Sequence, residues 1–137
     1  ILYHVQVKTG DVSAAGTDAT VTLTIYGSRG DTGSVELMND DSGPVGPFER
    51  NFNDNFTFIA PVIDQIERIK IGHDNTGTGP GWFLDKVTIN IPSEGRRYEF
   101  VCNRWLATDE DDGLTVGEFQ LSYSEGNYLH WKLYCLY

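Results

Sequence analysis

Apolar and polar residues alternate along most of the chain. Val5 and Val7 are interleaved with Gln6 and Lys8, and residues 20–26 read Thr-Val-Thr-Leu-Thr-Ile-Tyr, with Val21, Leu23 and Ile25 on one face. A period of two marks a half-buried β-strand, because successive side chains point to opposite sides of a pleated backbone. The same reading extends to 34–38, 55–59, 65–73, 83–91, 97–103 and 117–123. The segments between these runs, such as 27–30, 41–47, 74–81 and 108–113, are rich in Gly, Pro, Asn, Asp and Ser, the turn formers. About eight strands at this spacing, with no sustained helical periodicity, predict an all-β fold, an antiparallel β-sandwich or barrel. A short helical turn is expected near 62–66, and Trp82, Phe83, Phe100 and Trp105 are expected in the core. The last residues alternate as well: Leu129, Trp131, Leu133, Cys135 and Tyr137 share one face. The expected organisation is therefore a sandwich domain over 1–123 and an extension over 124–137. That extension would add a strand or pack on a neighbouring domain.

Composition narrows the function. A chain of 137 residues is the size of one domain and can bury a core without staples. Lys and Arg number 10 against 20 Asp and Glu, a formal net charge of −10. That excludes a nucleic-acid binder that tracks phosphates, which needs a basic footprint. It also excludes a membrane contact built only on basic residues, but not one in which a cation intervenes. No apolar run approaches the ~18 residues of a spanning helix. The chain opens Ile1-Leu2-Tyr3-His4 with neither an initiator Met nor a basic leader, so an excised domain or processed product of a longer protein is expected. Cys102 and Cys135 lack metal-type spacing and read as buried, reduced thiols, with pairing as the alternative. The triplet Asn55-Phe56-Thr57 has the form of a glycosylation sequon, but it falls at the start of a strand and carries little weight.

Candidate chemistry lies in the loops. Asp11, Asp18, Asn39, Asp40, Asp41, Asp74 and Asn75 fall in or beside turns. In a sandwich, alternate loops emerge at the same end, so these groups can converge on one rim. Carboxylates, amide oxygens and backbone carbonyls together make a hard site suited to Ca²⁺. The plainer alternative is that they are solvated turn residues, since Asp and Asn favour turns. The run Asp109-Glu110-Asp111-Asp112-Gly113 reads as a solvated turn with Gly113 in a left-handed conformation. Catalysis finds no support: His4, His73 and His130 are scattered, and no Gly-x-Ser-x-Gly occurs. A non-catalytic binding module is expected. Phe48, beside Pro47, has two readings: an exposed loop-tip anchor for a membrane interface, or a plug closing one end of the sandwich.

Ordered motifs then carry a resemblance. Thr9-Gly10-Asp11, Gly16-Thr17-Asp18 and Val21-x-Leu23-x-Ile25-Tyr26-Gly27 look like the opening of the PLAT domain (polycystin-1, lipoxygenase, alpha-toxin), also called the lipoxygenase-homology domain. Phe48-Glu49-Arg50, His73-Asp74-Asn75, Gly81-Trp82-Phe83-Leu84-Asp85 and Cys102-Asn103-x-Trp105-Leu106 continue the match from about Tyr3 to Leu121. The flavour is that of the tandem-repeat lipoxygenase-homology proteins. The resemblance implies two four-stranded antiparallel sheets and a docking module for membranes or proteins, with Ca²⁺ in some members. Carried over residue by residue, it implies metal ligands at Gly16, Thr17 and Asp18, at Asn39, Asp40 and Asp41, and at Asp74 and Asn75. Ala14 stands where calcium-binding relatives can carry an acidic residue. Val45, Phe48 and Pro80 are the candidate membrane or partner contacts near that rim. His73 is expected to be a framework residue, and Asp85 to pair with Arg50 or Arg104. Two functions follow as expectations. One is a Ca²⁺-binding module that brings its parent protein to a lipid surface, cytoplasmic and peripheral to the membrane. The other is a metal-independent protein-interaction repeat.

Overall fold

The structure, a computed structural model, describes residues 1–38 and 46–126. Its strands are β1 (Leu2–Thr9), β2 (Val21–Gly27), β3 (Gly30–Asp31), β4 (Val35–Glu36), β5 (Asn53–Ile59), β6 (Ile66–His73), β7 (Trp82–Ile91), β8 (Arg96–Leu106), β9 (Val116–Gln120) and β10 (Tyr123–Glu125). They form two antiparallel sheets of five strands. The first runs β10-β8-β7-β1-β5; the second runs β3-β2-β6-β9, with β4 also pairing β2. The alternation in the sequence sets the faces. Tyr3, Val5, Val7 and Thr9 of β1 point inward, as do Val21, Leu23 and Ile25 of β2, and all are buried. Ile69, Ile71, Val87, Ile89 and Phe100 complete the layer between the sheets. One polar pair sits inside it. The buried Trp82 indole N–H donates to Thr9 Oγ1 at 2.9 Å, satisfying a donor that burial would otherwise strand.

Each sheet gains a strand over the expected four. β3 is too short for any periodicity to reveal it. The run 117–123 divides: β9 pairs with β6 in the second sheet, whereas β10 pairs with β8 in the first. The crossing is held by the Leu121 N–H on Glu67 O and the Ser122 N–H on Glu99 O, both 3.0 Å. No helical turn forms at 62–66. A 3₁₀ turn lies instead at Pro92–Glu94, where Pro92 presets φ and Gly95 closes the turn at φ 60°. Asp85 also departs from expectation. It sits at the register shift between Leu84 and Lys86, while Arg50 pairs with Asp11 and Arg104 with Asp112. Cys102 is a free, half-buried thiol whose pKa burial pushes up. Residues 127–137, which hold Cys135 and most of the expected extension, lie outside the described residues.

Candidate functional site

The loops 10–20, 46–52, 74–81 and 107–115 gather at one end of the sandwich, here called the upper end. Backbone hydrogen bonds bring them together. Asp74 N–H donates to Thr20 O at 3.1 Å, Phe83 N–H to Ala15 O at 2.9 Å, and His73 N–H to Thr115 O at 3.1 Å. The convergence expected for the Asp18 and Asp74 loops is therefore present.

Gly16 and Thr17 act by making room and by stapling. A Cβ on Gly16 would lie 3.0 Å from Phe48 O and 3.1 Å from Arg50 N, so the glycine lets the turn at 48–50 sit on this loop. Thr17 is buried. Its N–H donates to Phe48 O at 2.9 Å and its hydroxyl to Pro80 O at 2.7 Å, joining three loops. Together they bring Glu49 against Asp18. The Glu49 carboxyl is half-buried, and its pKa is raised above the ordinary value. Burial is the largest cause, followed by the charge of Asp18, a hydrogen bond with that carboxyl, and the charge of Asp54.

Asp74 is arranged differently. Its Oδ1 accepts from the Thr76 hydroxyl at 2.6 Å, from Thr20 N–H at 3.1 Å and from Thr76 N–H at 3.2 Å. These donors, the Thr76 hydroxyl first, favour the charged form and hold its pKa below the usual carboxylate value. Asn75 follows with φ 61°, and its N–H donates to His73 Nδ1 at 3.0 Å. His73 Nε2 lies 2.7 Å from Leu106 O. An acceptor role at Nδ1 and a carbonyl at Nε2 fix the neutral Nε2–H tautomer. His73 is thus a framework group, as expected.

Of the two readings of Phe48 the plug holds, so its place among the candidate membrane contacts is corrected, as is the core position expected for Trp105. Phe48 is only 2% exposed, stacking on Phe56 at 5.4 Å and meeting Trp82 edge-on at 5.2 Å, so it plugs the core and is no loop-tip anchor. Its φ of 64° turns the side chain inward, while its N–H donates to the buried Asp54 carboxylate at 2.9 Å. Trp105 is the reverse case: expected in the core, it is half-buried and reaches the surface at the upper end. It packs edge-on against Phe83, also half-buried, at 5.4 Å, and lines an open cleft of about 280 Å³ with Ala14, Asn75, Pro80, Asp109 and Glu110. Pro80 is half-buried at that cleft. Exposed apolar side chains flank the same end at Val12, Leu114 and Met38, the last 72% exposed. The turn after Trp105 is structural. Asp111 accepts from Trp105 N–H at 2.7 Å, Asp112 from Leu114 N–H at 3.0 Å, and Gly113 takes φ 74°.

Asn39, Asp40, Asp41 and Val45 lie outside the described residues. Among the described residues, no three His, Cys, Asp or Glu side chains form a group that could hold a metal ion. The acidic side chains that the upper end presents at Asp18, Glu49 and Asp74 are all oxygen donors. The Asp18–Glu49 pair carries a repulsion that a divalent cation relieves, and the donor chemistry fits Ca²⁺, which takes six to eight oxygens. Sequence reasoning missed Glu49 as a site residue, because it treated Phe48-Glu49-Arg50 as framework. The signal available was its place in the turn that Gly16 admits.

The family model for the PLAT/LH2 domain matches residues 3–117. Lipoxygenase homology domain-containing protein 1 of Mus musculus is 47% identical over 111 residues, covering 81% of this chain and 5% of that protein. The allene oxide synthase-lipoxygenase protein of Plexaura homomalla is 34% identical over 127 residues, covering 90% of this chain and 11% of that one. Among solved structures, coral 8R-lipoxygenase aligns with a TM-score of 0.77 at 29% identity, over 89% of this chain and 17% of its own. That enzyme is described as activated by calcium through a C2-like domain.

Proposed function

The chain belongs to the PLAT/LH2 family, a non-catalytic part of larger proteins, and from that premise we propose that it is a calcium-dependent module docking its parent protein on a lipid surface. The observation that carries this reading is the Asp18–Glu49 carboxyl pair, held at the end where the apolar side chains Val12, Met38 and Leu114 are exposed. Asp18 and Glu49 would hold the ion, with Asp74 on the adjoining loop and Asn39, Asp40 and Asp41 on the loop between β4 and β5. The ion supplies positive charge that bridges the acidic rim to phosphate head groups. The chain's own residues do the rest. Gly16 and Thr17 fix the loop geometry, Asp74 holds residues 74–76 against Thr20, and the apolar tips with Trp105 enter the interface. Trp105 takes the place first given to Phe48, because an amphipathic ring at the surface suits the head-group level.

The test is a calorimetric calcium titration of protein stripped with EDTA, repeated with Asp18→Asn, Glu49→Gln and Asp74→Asn, followed by sedimentation with anionic vesicles. Saturable binding, lost in Asp18→Asn and Glu49→Gln and matched by calcium-dependent sedimentation, is the expected outcome. No binding up to millimolar calcium would overturn the reading. It would favour a metal-independent protein contact through the Trp105 cleft.

A further inference from the structure

We propose that the cleft beside Trp105 takes an arginine side chain of a partner protein, stacked on the indole and held by the carboxylates of Asp109 and Glu110. The half-buried Trp105, Pro80 and Ala14 supply its apolar lining, and Asp109 and Glu110, both exposed, border its mouth. Among the described residues, no lysine or arginine lines it. Its volume of about 280 Å³ falls just below the range of pockets that take drug-sized ligands, so it suits a single side chain. The two carboxylates are surplus to the turn that carries them. Asp111 accepts from Trp105 N–H, and Asp112 from Leu114 N–H and the Arg104 guanidinium. Glu110 gives that turn its backbone O, 3.0 Å from Gly113 N–H. Among the described residues, neither the Asp109 nor the Glu110 side chain forms an ion pair. A ring beside two uncompensated carboxylates attracts a cation twice, through its quadrupole and through their charge. The molecule already holds one arginine in this way. Arg68 Cζ lies 3.8 Å from the centre of the Tyr26 ring while its guanidinium pairs with Glu118 at 3.2 Å.

The cleft is preformed. The Thr17 hydroxyl holds Pro80 O at 2.7 Å, and Ala107 N–H holds Leu114 O at 3.1 Å. Gly81 lets the two sides close up, since a Cβ there would lie 3.1 Å from that of Ala107. Little of the site must therefore be ordered on binding. Arginine fits it better than other cations. A planar guanidinium stacks on a ring and its N–H fork reaches two carboxylates at once, whereas lysine presents a compact, strongly hydrated point charge. The choline of a lipid has no N–H to donate, and its phosphate would meet the same two carboxylates. The cation is thus carried by a protein, and the net charge of −10 draws a basic partner from a distance. The inference does not rest on calcium. Because Trp105 is also the ring given to the lipid interface, the basic partner and the membrane exclude one another.

The test is a titration of the full chain in EDTA, followed by nitrogen–proton correlation spectra at the Trp105 indole and the Gly79 and Gly81 amides. The probe is the peptide Gly-Gly-Arg-Gly-Gly, acetylated and amidated at its ends. Parallel arms use the same peptide with citrulline, the uncharged isostere of arginine, and phosphocholine. The expected result is a saturable shift of all three signals with the arginine peptide, at a dissociation constant on the order of 1 mM, and none in the other arms. Asp109→Asn combined with Glu110→Gln is expected to weaken binding roughly fivefold. Both side chains are exposed and outside the turn's hydrogen bonds, so the fold is kept, and signals unchanged elsewhere in the spectrum verify it. Four results would overturn the proposal. They are no shift up to about 10 mM arginine peptide, an equal shift with citrulline, an affinity untouched by the double substitution, and a response to phosphocholine instead, which assigns the cleft to lipid. With calcium absent throughout, none of these bears on whether the acidic rim binds the ion.

Discussion

Glu49 and Asp74 show how position within one acidic end decides the behaviour of a carboxyl group. Asp74 is surrounded by donors and its pKa falls; Glu49 is partly buried beside Asp18 and Asp54 and its pKa rises. The two act oppositely on stability. A carboxyl whose folded pKa is lowered contributes stability above its ordinary value of 3.8 and loses it as pH falls through the lowered value. Asp112, held down by Arg104, behaves as Asp74 does. A carboxyl whose folded pKa is raised contributes stability below its ordinary value of 4.5 and loses it as pH climbs through the raised value. On Glu49's account, the metal-free protein is therefore expected to weaken as pH climbs above that group's ordinary value. Glu49→Gln removes that component. Its Tm in EDTA at neutral pH is expected to exceed that of the unsubstituted chain, while the rise on adding calcium disappears. Thermal melts with and without calcium, in acid and at neutral pH, check the pair of effects. A Glu49→Gln protein less stable than the original in EDTA contradicts the repulsion.

The principal strands were legible because alternation is enforced by burial on one face only, and β1, β2 and β5 to β9 all carry it. Two- and three-residue strands carry no period, so β3 and β10 were not. Depth at strand ends was misread for a related reason. Alternation says which way a side chain points but not what covers it, and the loops decide that. Phe48 is sealed beneath Phe56 and Trp82, whereas Trp105, on the last turn of β8, is left half open. In the candidate site, the rim position of Asp18 and Asp74 was readable from loop order. The approach of Glu49 was not, because it depends on contact between turns distant in sequence. A close approach between strands gives a prediction at this scale. A Cβ on Gly72 of β6 would lie 2.5 Å from Val116 Cγ2 and 2.7 Å from Thr115 O. Gly72→Ala is expected to push β9 away at a cost of roughly 1–3 kcal/mol, the range for overpacking. Urea denaturation measures it, and a change within about 0.5 kcal/mol would mean that β9 yields without strain.

At the scale of the whole molecule, the net charge of −10 opposes any approach to an anionic surface. Calcium-dependent vesicle binding is therefore expected to depend on salt in a telling way. In calcium, raising salt screens the bridge between ion and head groups and weakens binding, while in EDTA no salt concentration restores it. Binding in EDTA at high salt would show that repulsion alone, not a missing ion, keeps the calcium-free protein off the membrane. The sheet order has a different consequence, for synthesis. Val5 in β1 lies between Phe56 of β5 and Ile89 of β7. The opening strand of the domain thus cannot complete its pairing during synthesis until most of the domain has followed, and pairing between segments so far apart is slow. In a parent protein built from repeats, the chain's own β5 emerges before any equivalent strand of the next unit. Vectorial synthesis would give each opening strand its own partner first, a protection that refolding from denaturant removes.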